Sequence, residues 1–136
     1  ERGGVPPNVK IIEQQHAGVG AARNNGVAKS AGKYLAFLDA DDWWCEGYLE
    51  SMQSLIGRWP QAEIFGTSYY IMNDGELRIA PIALDPLFEE GFVVYHEVYD
   101  RSEELCMPLT ANSYCITRNA FEEVGGYRTD LTLGED

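Results

Sequence analysis

Three consecutive segments near the start of the chain restrict its architecture more than any other feature. Residues 9–13 (VKIIE) form a short β-branched run. Residues 20–30 are rich in alanine and glycine, with Gly32 just beyond them, and residues 34–38 (YLAFL) form a second apolar run. Short apolar runs of this composition read as buried strands, and the alanine-rich stretch between them reads as a helix with a glycine stop. A strand–helix–strand order favours a parallel pair joined by a crossover, and hence an α/β layer architecture. The small residues Ala21, Ala22, Gly26 and Ala28 would let such a helix lie close against a sheet.

The second apolar run goes directly into charge, as LDADDWW. Asp39, Asp41 and Asp42 repel one another and call for water, a cation or both. In open α/β sheets, ligands sit beyond the carboxyl ends of the strands, which is where these acids fall. Asp39 and Asp41 can face one ligand only if the chain turns between them. An oxygen-only donor set suits Mg²⁺ or Mn²⁺ bound partly through ligand phosphates, and does not suit zinc. The alternative is an acidic loop capping the helix that begins near Glu46. The residues alone leave both open.

Composition narrows the partners. With 136 residues and 45% apolar content, the chain is globular and one domain at most, residues 1–136, large enough for a single ordinary core. A net charge of −12 argues against nucleic acid, whose phosphates need a basic face. It also means that a phosphorylated ligand would need a divalent cation as a bridge. Cys45, Cys106 and Cys115 have no metal-ligand spacing and read as reduced, buried, small apolar residues of a cytosolic-type protein. No apolar run approaches the ~20 residues of a membrane span. The opening ERGGVPPN is no signal peptide and starts abruptly, as though mid-fold.

Further along, residues 46–59 carry Leu49, Met52, Leu55, Ile56 and Trp59 at helical spacing before Pro60, a stripe that reads as core. Residues 62–72 and 76–82 flank Asn73, Asp74 and Gly75 as a β-hairpin would. An edge strand at residues 92–95 and a helical turn at 102–105 are expected from an otherwise ambiguous stretch. SYCIT (residues 113–117) reads as another strand, and RNAFEEV (118–124) as a short helix stopped by Gly125 and Gly126.

Two of these stretches together resemble a known family. HAGVGAARNNGVAKSAGKYLAFLDADDWW, followed by YLE, is similar to the central signature of family 2 glycosyltransferases, in which an Ala–Arg–Asn–x–Gly helix precedes a strand ending in Asp–x–Asp. Downstream, FEEVGGYRTDLTLGED (residues 121–136) is similar to the acceptor-side stretch of that family, which ends in Glu–Asp. The resemblance implies a partial GT-A (nucleotide-diphospho-sugar transferase-like) fold of α/β class, with a mixed sheet flanked by helices. It implies transfer of a sugar from a nucleoside-diphosphate sugar to a hydroxyl of a sugar or lipid-linked acceptor, with inversion.

By the same resemblance, Asp39 approaches the ribose or the metal, and Asp41 is the principal ligand of a divalent cation, Mn²⁺ or Mg²⁺. Asp136 stands at the position of the catalytic base, which an acceptor hydroxyl needs because it is a weak nucleophile until it loses its proton. Glu135 is an acceptor-side contact, and Arg23 helps hold the nucleotide unless it makes a helix-surface ion pair. Asp42 supports the loop, Asn24 packs and caps locally, and His16 orders its loop. Trp43, Trp44 and Tyr127 offer flat faces to a sugar ring or simply pack.

Two departures stand out. Glu46 replaces a customary proline, and the strand, helix and strand that usually cradle the nucleoside base are missing ahead of residue 9. The chain therefore reads as an internal fragment, cytoplasmic or peripheral at the inner face of a membrane, with an open sheet edge through which it would form homo-oligomers. A haloacid-dehalogenase-like phosphatase also has Asp–x–Asp after a strand, but calls for a small residue where Trp43 stands. The rival of a different class is a non-catalytic or incomplete module that binds a cation without turnover.

Overall fold

The computed structural model describes residues 5–81 and 109–130, in two compact units, Gly32–Val124 and Glu1–Ala31 with Gly125–Asp136. Among the described residues it is mixed α/β, as expected of a partial GT-A fold. The strand expected at 92–95, the helical turn at 102–105 and Cys106 lie outside the described residues, as do Glu135 and Asp136.

The unit that contains the N-terminal residues is built on helix α1 (Val19–Lys29), close to the expected bounds. Its last turn is closed by polar contacts: Ser30 Oγ donates to the Val27 carbonyl at 2.9 Å, and Lys10 Nζ to that of Lys29 at 3.1 Å. These satisfy carbonyls that a helix end otherwise leaves without a partner. The small residues of α1 matter most at Gly20, where an added Cβ would lie 2.7 Å from the Arg128 carbonyl oxygen. The close approach thus serves the 127–128 backbone of the same unit. In that segment, Arg128 and Asp130 form an exposed hydrogen-bonded ion pair, which holds the Asp130 carboxyl below its usual range.

Residues 9–13 correct an expectation. They form no strand, and Ile11 is 70% exposed. A strand persists only where a neighbour takes its backbone hydrogen bonds, and no ladder among the described residues includes this run. Polar side chains tie the stretch to α1 instead, through Lys10 and through Asn25 Nδ2 donating to Gln14 Oε1 at 2.6 Å. The parallel pair expected from strand–helix–strand order is therefore absent among the described residues.

The second unit is built on a three-stranded antiparallel sheet. Strand β1 (Tyr34–Ala36) and strand β2 (Ile64–Gly66) flank β5 (Tyr114–Thr117), with Leu35 and Ile64 both opposite Ile116 and with Ala36 and Phe65 both opposite Cys115. Alternation along β5 sends Cys115 to one face and Tyr114 and Ile116 to the other. On the first face, helix α2 (Tyr48–Arg58) brings Met52 against Phe65 and Cys115, ringed by Tyr34, Tyr48, Leu55, Ile56 and Trp59. Leu49, expected in this stripe, is exposed, and Tyr48 takes part in the core instead. On the other face, Phe37 meets the rings of Tyr114 and Phe121 at 6.1 and 5.9 Å.

The sheet runs from β5 into helix α3 (Arg118–Glu123), where the Thr117 side chain accepts from the Ala120 N–H at 3.3 Å as an N-cap. Gly125 and Gly126 follow with φ of 87° and 74°, the left-handed conformation that ends a helix. The expected hairpin exists but is shorter than predicted. Strand β3 (Tyr70–Asn73) pairs with β4 (Glu76–Ile79) around Asp74 and Gly75, both at positive φ, while β2 leaves the hairpin for β5.

Candidate metal–diphosphate site

The acids after β1 sit where the chain turns, as their spacing requires. The Asp42 N–H donates to the Asp39 carbonyl at 3.2 Å, which closes a turn over Ala40 and Asp41. Asp39 is half-buried, whereas Asp41 and Asp42 are exposed. The acids do not cap α2, which starts at Gly47 with a left-handed φ of 83° and no side-chain cap. The capping alternative thus fails on geometry.

A residue that sequence reasoning passed over organises this turn. Asn112 Oδ1 accepts from the Asp39 N–H at 2.7 Å, while its Nδ2 donates to Asp39 Oδ2 at 3.5 Å and to Asp42 Oδ2. The register explains the meeting: continued past Ala36 opposite Cys115, antiparallel pairing brings Asp39 opposite Asn112. Asn112 is itself seated in a tight turn. The Ser113 N–H donates to the Thr110 carbonyl at 2.9 Å, and the buried Ser113 hydroxyl accepts from the Thr110 N–H at 2.8 Å. An asparagine just before a strand in a turn-forming run was the available signal, but it names no partner.

The two tryptophans part company. Trp44 packs: its Nε1 donates to the Asn112 carbonyl at 2.9 Å, and its ring stacks on Tyr48 at 4.7 Å. Trp43 is 54% exposed and follows the acids in the chain. Below them, burial pushes the Tyr48 hydroxyl up to about 12, with the nearby Cys115 adding to the rise, and burial also raises the Cys115 thiol. Cys115 is thus the inert buried thiol expected, but Cys45 is exposed.

Arg23 lies in the other unit. It is 8% exposed, with its guanidinium 4.9 Å over the Tyr127 ring, so it is buried and not on the helix surface. Next to it, Asn24 reaches much further than local capping. Its Nδ2 donates to the Tyr127 carbonyl at 2.8 Å and its Oδ1 accepts from the Tyr127 N–H at 2.9 Å. His16 is exposed.

No group of three or more His, Cys, Asp or Glu gathers among the described residues, so a closed all-protein cage is not formed there. Mg²⁺ and Mn²⁺ sites that share their cation with phosphates need only one or two carboxylates. A half-buried Asp39 and an exposed Asp41 on one turn satisfy that requirement. No helix among the described residues is long and apolar enough to cross a membrane.

Known proteins share sequence with this chain. A family model described as "Glycosyl transferase family 2" matches residues 5–124. The glycosyltransferase GlyA of Streptococcus pneumoniae serotype 4 is 42% identical over 68 residues, 50% of this chain and 10% of that protein. The amylovoran biosynthesis glycosyltransferase AmsB of Erwinia amylovora is 34% identical over 84 residues, 58% of this chain and 28% of that one. WfgD of Escherichia coli, a UDP-Glc:α-D-GlcNAc-diphosphoundecaprenol β-1,3-glucosyltransferase, is 30% identical over 70 residues, 51% of this chain and 27% of that one. In each case the match spans less than a third of the relative's length. No solved structure matches.

Proposed function

Because this chain belongs to the family 2 glycosyltransferases, we propose that it carries the metal–diphosphate and acceptor-side elements of an enzyme that moves a sugar from a nucleoside-diphosphate sugar to an acceptor hydroxyl. The observation that carries this reading is the turn from Asp39 to Asp42, which gathers three carboxylates beyond an apolar strand onto one short loop. Asp41 is the main ligand of Mn²⁺ or Mg²⁺, and Asp39 shares the metal or meets the ribose. The cation supplies charge stabilisation for the departing diphosphate. Asp136 takes the proton of the acceptor hydroxyl as it attacks, and in-line attack from the opposite face inverts the anomeric centre. Glu135 contacts the acceptor, and Arg23 helps hold the nucleotide.

The named acceptor of WfgD, a diphosphoundecaprenol-linked sugar, supports a lipid-linked acceptor here; on this reading the chain works peripherally at the inner face of a membrane. Self-association belongs to the same reading. Among the described residues, β1 and β2 are the outer strands of their sheet, and open edges invite pairing with a second chain. Calorimetry tests the central assignment. Mn²⁺ with uridine or guanosine diphosphate should bind together more tightly than either alone, because phosphate oxygens complete the coordination shell. Asp41→Ala should abolish that cooperativity; identical heats from both proteins would remove the assignment.

A further inference from the structure

We infer that Asn112 is a positioning residue for the metal–diphosphate site: its carboxamide holds Asp39 and Asp42 and thereby leaves Asp41 as the acid of the turn that the amide does not engage. This rests on the reading above, that Asp39 and Asp41 take a cation with a diphosphate. One side chain makes three contacts here, accepting from the Asp39 N–H and donating towards the carboxylates of Asp39 and Asp42. Two carboxylates that would otherwise repel each other thus share one NH₂ group. Asp41 and Asp42 are both exposed, but only Asp42 is engaged by the amide.

The choice of a neutral donor is chemically specific. A lysine or arginine at this position would also tether the acids, but its charge would oppose an arriving cation. An aspartate would remove the NH₂ donor and add a fourth anion. The amide can orient carboxylates without either penalty, because hydrogen bonds to a ligating group fix its direction while leaving its charge in place. Asn112 is well placed for this, since its backbone is held independently of its side chain. Trp44 Nε1 donates to its carbonyl, Trp44 stacks on Tyr48, and the buried Ser113 closes the turn behind it. A change confined to the carboxamide therefore leaves the seat intact.

The test is Mn²⁺ titration by calorimetry in the presence of inorganic pyrophosphate, which supplies the diphosphate without requiring the correct nucleoside. It is run on the wild type, Asn112→Ala and Asn112→Asp, with thermal melting of each. Loss of an outer contact to a metal-ligating carboxylate weakens metal affinity by ~10–100-fold. That loss is expected in both variants at temperatures well below their melting transitions. The Asp variant matches the native side chain in volume and guards against an alanine variant that does not fold. If the wild type binds Mn²⁺ with pyrophosphate and either folded variant binds as tightly or more tightly, the role of Asn112 is overturned while the site stands. If the wild type itself shows no such binding, the site assignment falls and the role of Asn112 falls with it. A loss of affinity that only tracks a lowered melting transition would assign Asn112 to packing and overturn the inference.

Discussion

Replacing Asn24 by alanine isolates a clamp whose strength can be worked out bond by bond. Asn24 holds both polar groups of the Tyr127 backbone, at 2.8 and 2.9 Å, in a half-buried position. A net hydrogen bond is worth about 1 kcal/mol, and an orphaned buried group costs a further ~1–3 kcal/mol. Partial exposure lets water recover some of the second term, so Asn24→Ala should weaken the attachment of Tyr127 by about 2–3 kcal/mol. Because 1.4 kcal/mol is tenfold, the Tyr127 amide should exchange with solvent deuterium roughly 30–150-fold faster. The Thr117 amide, which donates to the Glu63 carbonyl at 2.8 Å, is the control and should change little. Asn24→Asp adds a sign test. At neutral pH its carboxylate still accepts from the Tyr127 N–H but faces the Tyr127 carbonyl without a proton to donate. Below about pH 4 the carboxyl becomes protonated and can donate again, so part of the loss should return on acidification. Unchanged exchange at Tyr127 in the alanine variant, or equal acceleration at Thr117, would refute the clamp.

Three further outcomes follow from the same structure and reading. The folded state raises the Tyr48 hydroxyl from 10.0 to about 12, so it holds that proton more tightly than the unfolded chain does. The associated stability is complete below pH 10 and is lost as pH rises towards about 12; Tyr48→Phe should flatten that alkaline limb in urea melts. If Asp136 is the base proposed above, Asp136→Asn in any longer protein that contains this chain should lower transfer by roughly 10²–10⁴-fold with donor affinity nearly unchanged, as steady-state kinetics would report. Sedimentation of the chain should show association, and a clean monomer at high concentration would remove the open-edge argument.

Much of the local structure was legible because it depends on neighbours in sequence. Alanine content placed α1, Asp74 and Gly75 placed the hairpin turn, and Gly125 and Gly126 placed the end of α3, each through backbone preferences that operate within a few residues. The acids of the candidate site were legible for the same reason, since an apolar strand cannot continue into three carboxylates. Residues 9–13 show where such reasoning fails. β-branched composition makes a strand possible, but a strand also needs a partner, and the partner is not encoded in the run itself.

What the sequence by itself determined, then, was most of the helices and turns among the described residues, the turn of acids after β1 and, through its motifs, the family. Only the tertiary structure decided which distant groups meet. Asn112 lies 73 positions from Asp39, and Asn24 lies 103 positions from Tyr127. The antiparallel register of β1 with β5 delivers the first meeting, and the missing Cβ of Gly20 permits the 127–128 backbone to approach α1 for the second. Local propensity acts over one or two turns of chain, whereas these contacts depend on strand pairing and close packing, which exist only once the chain has folded.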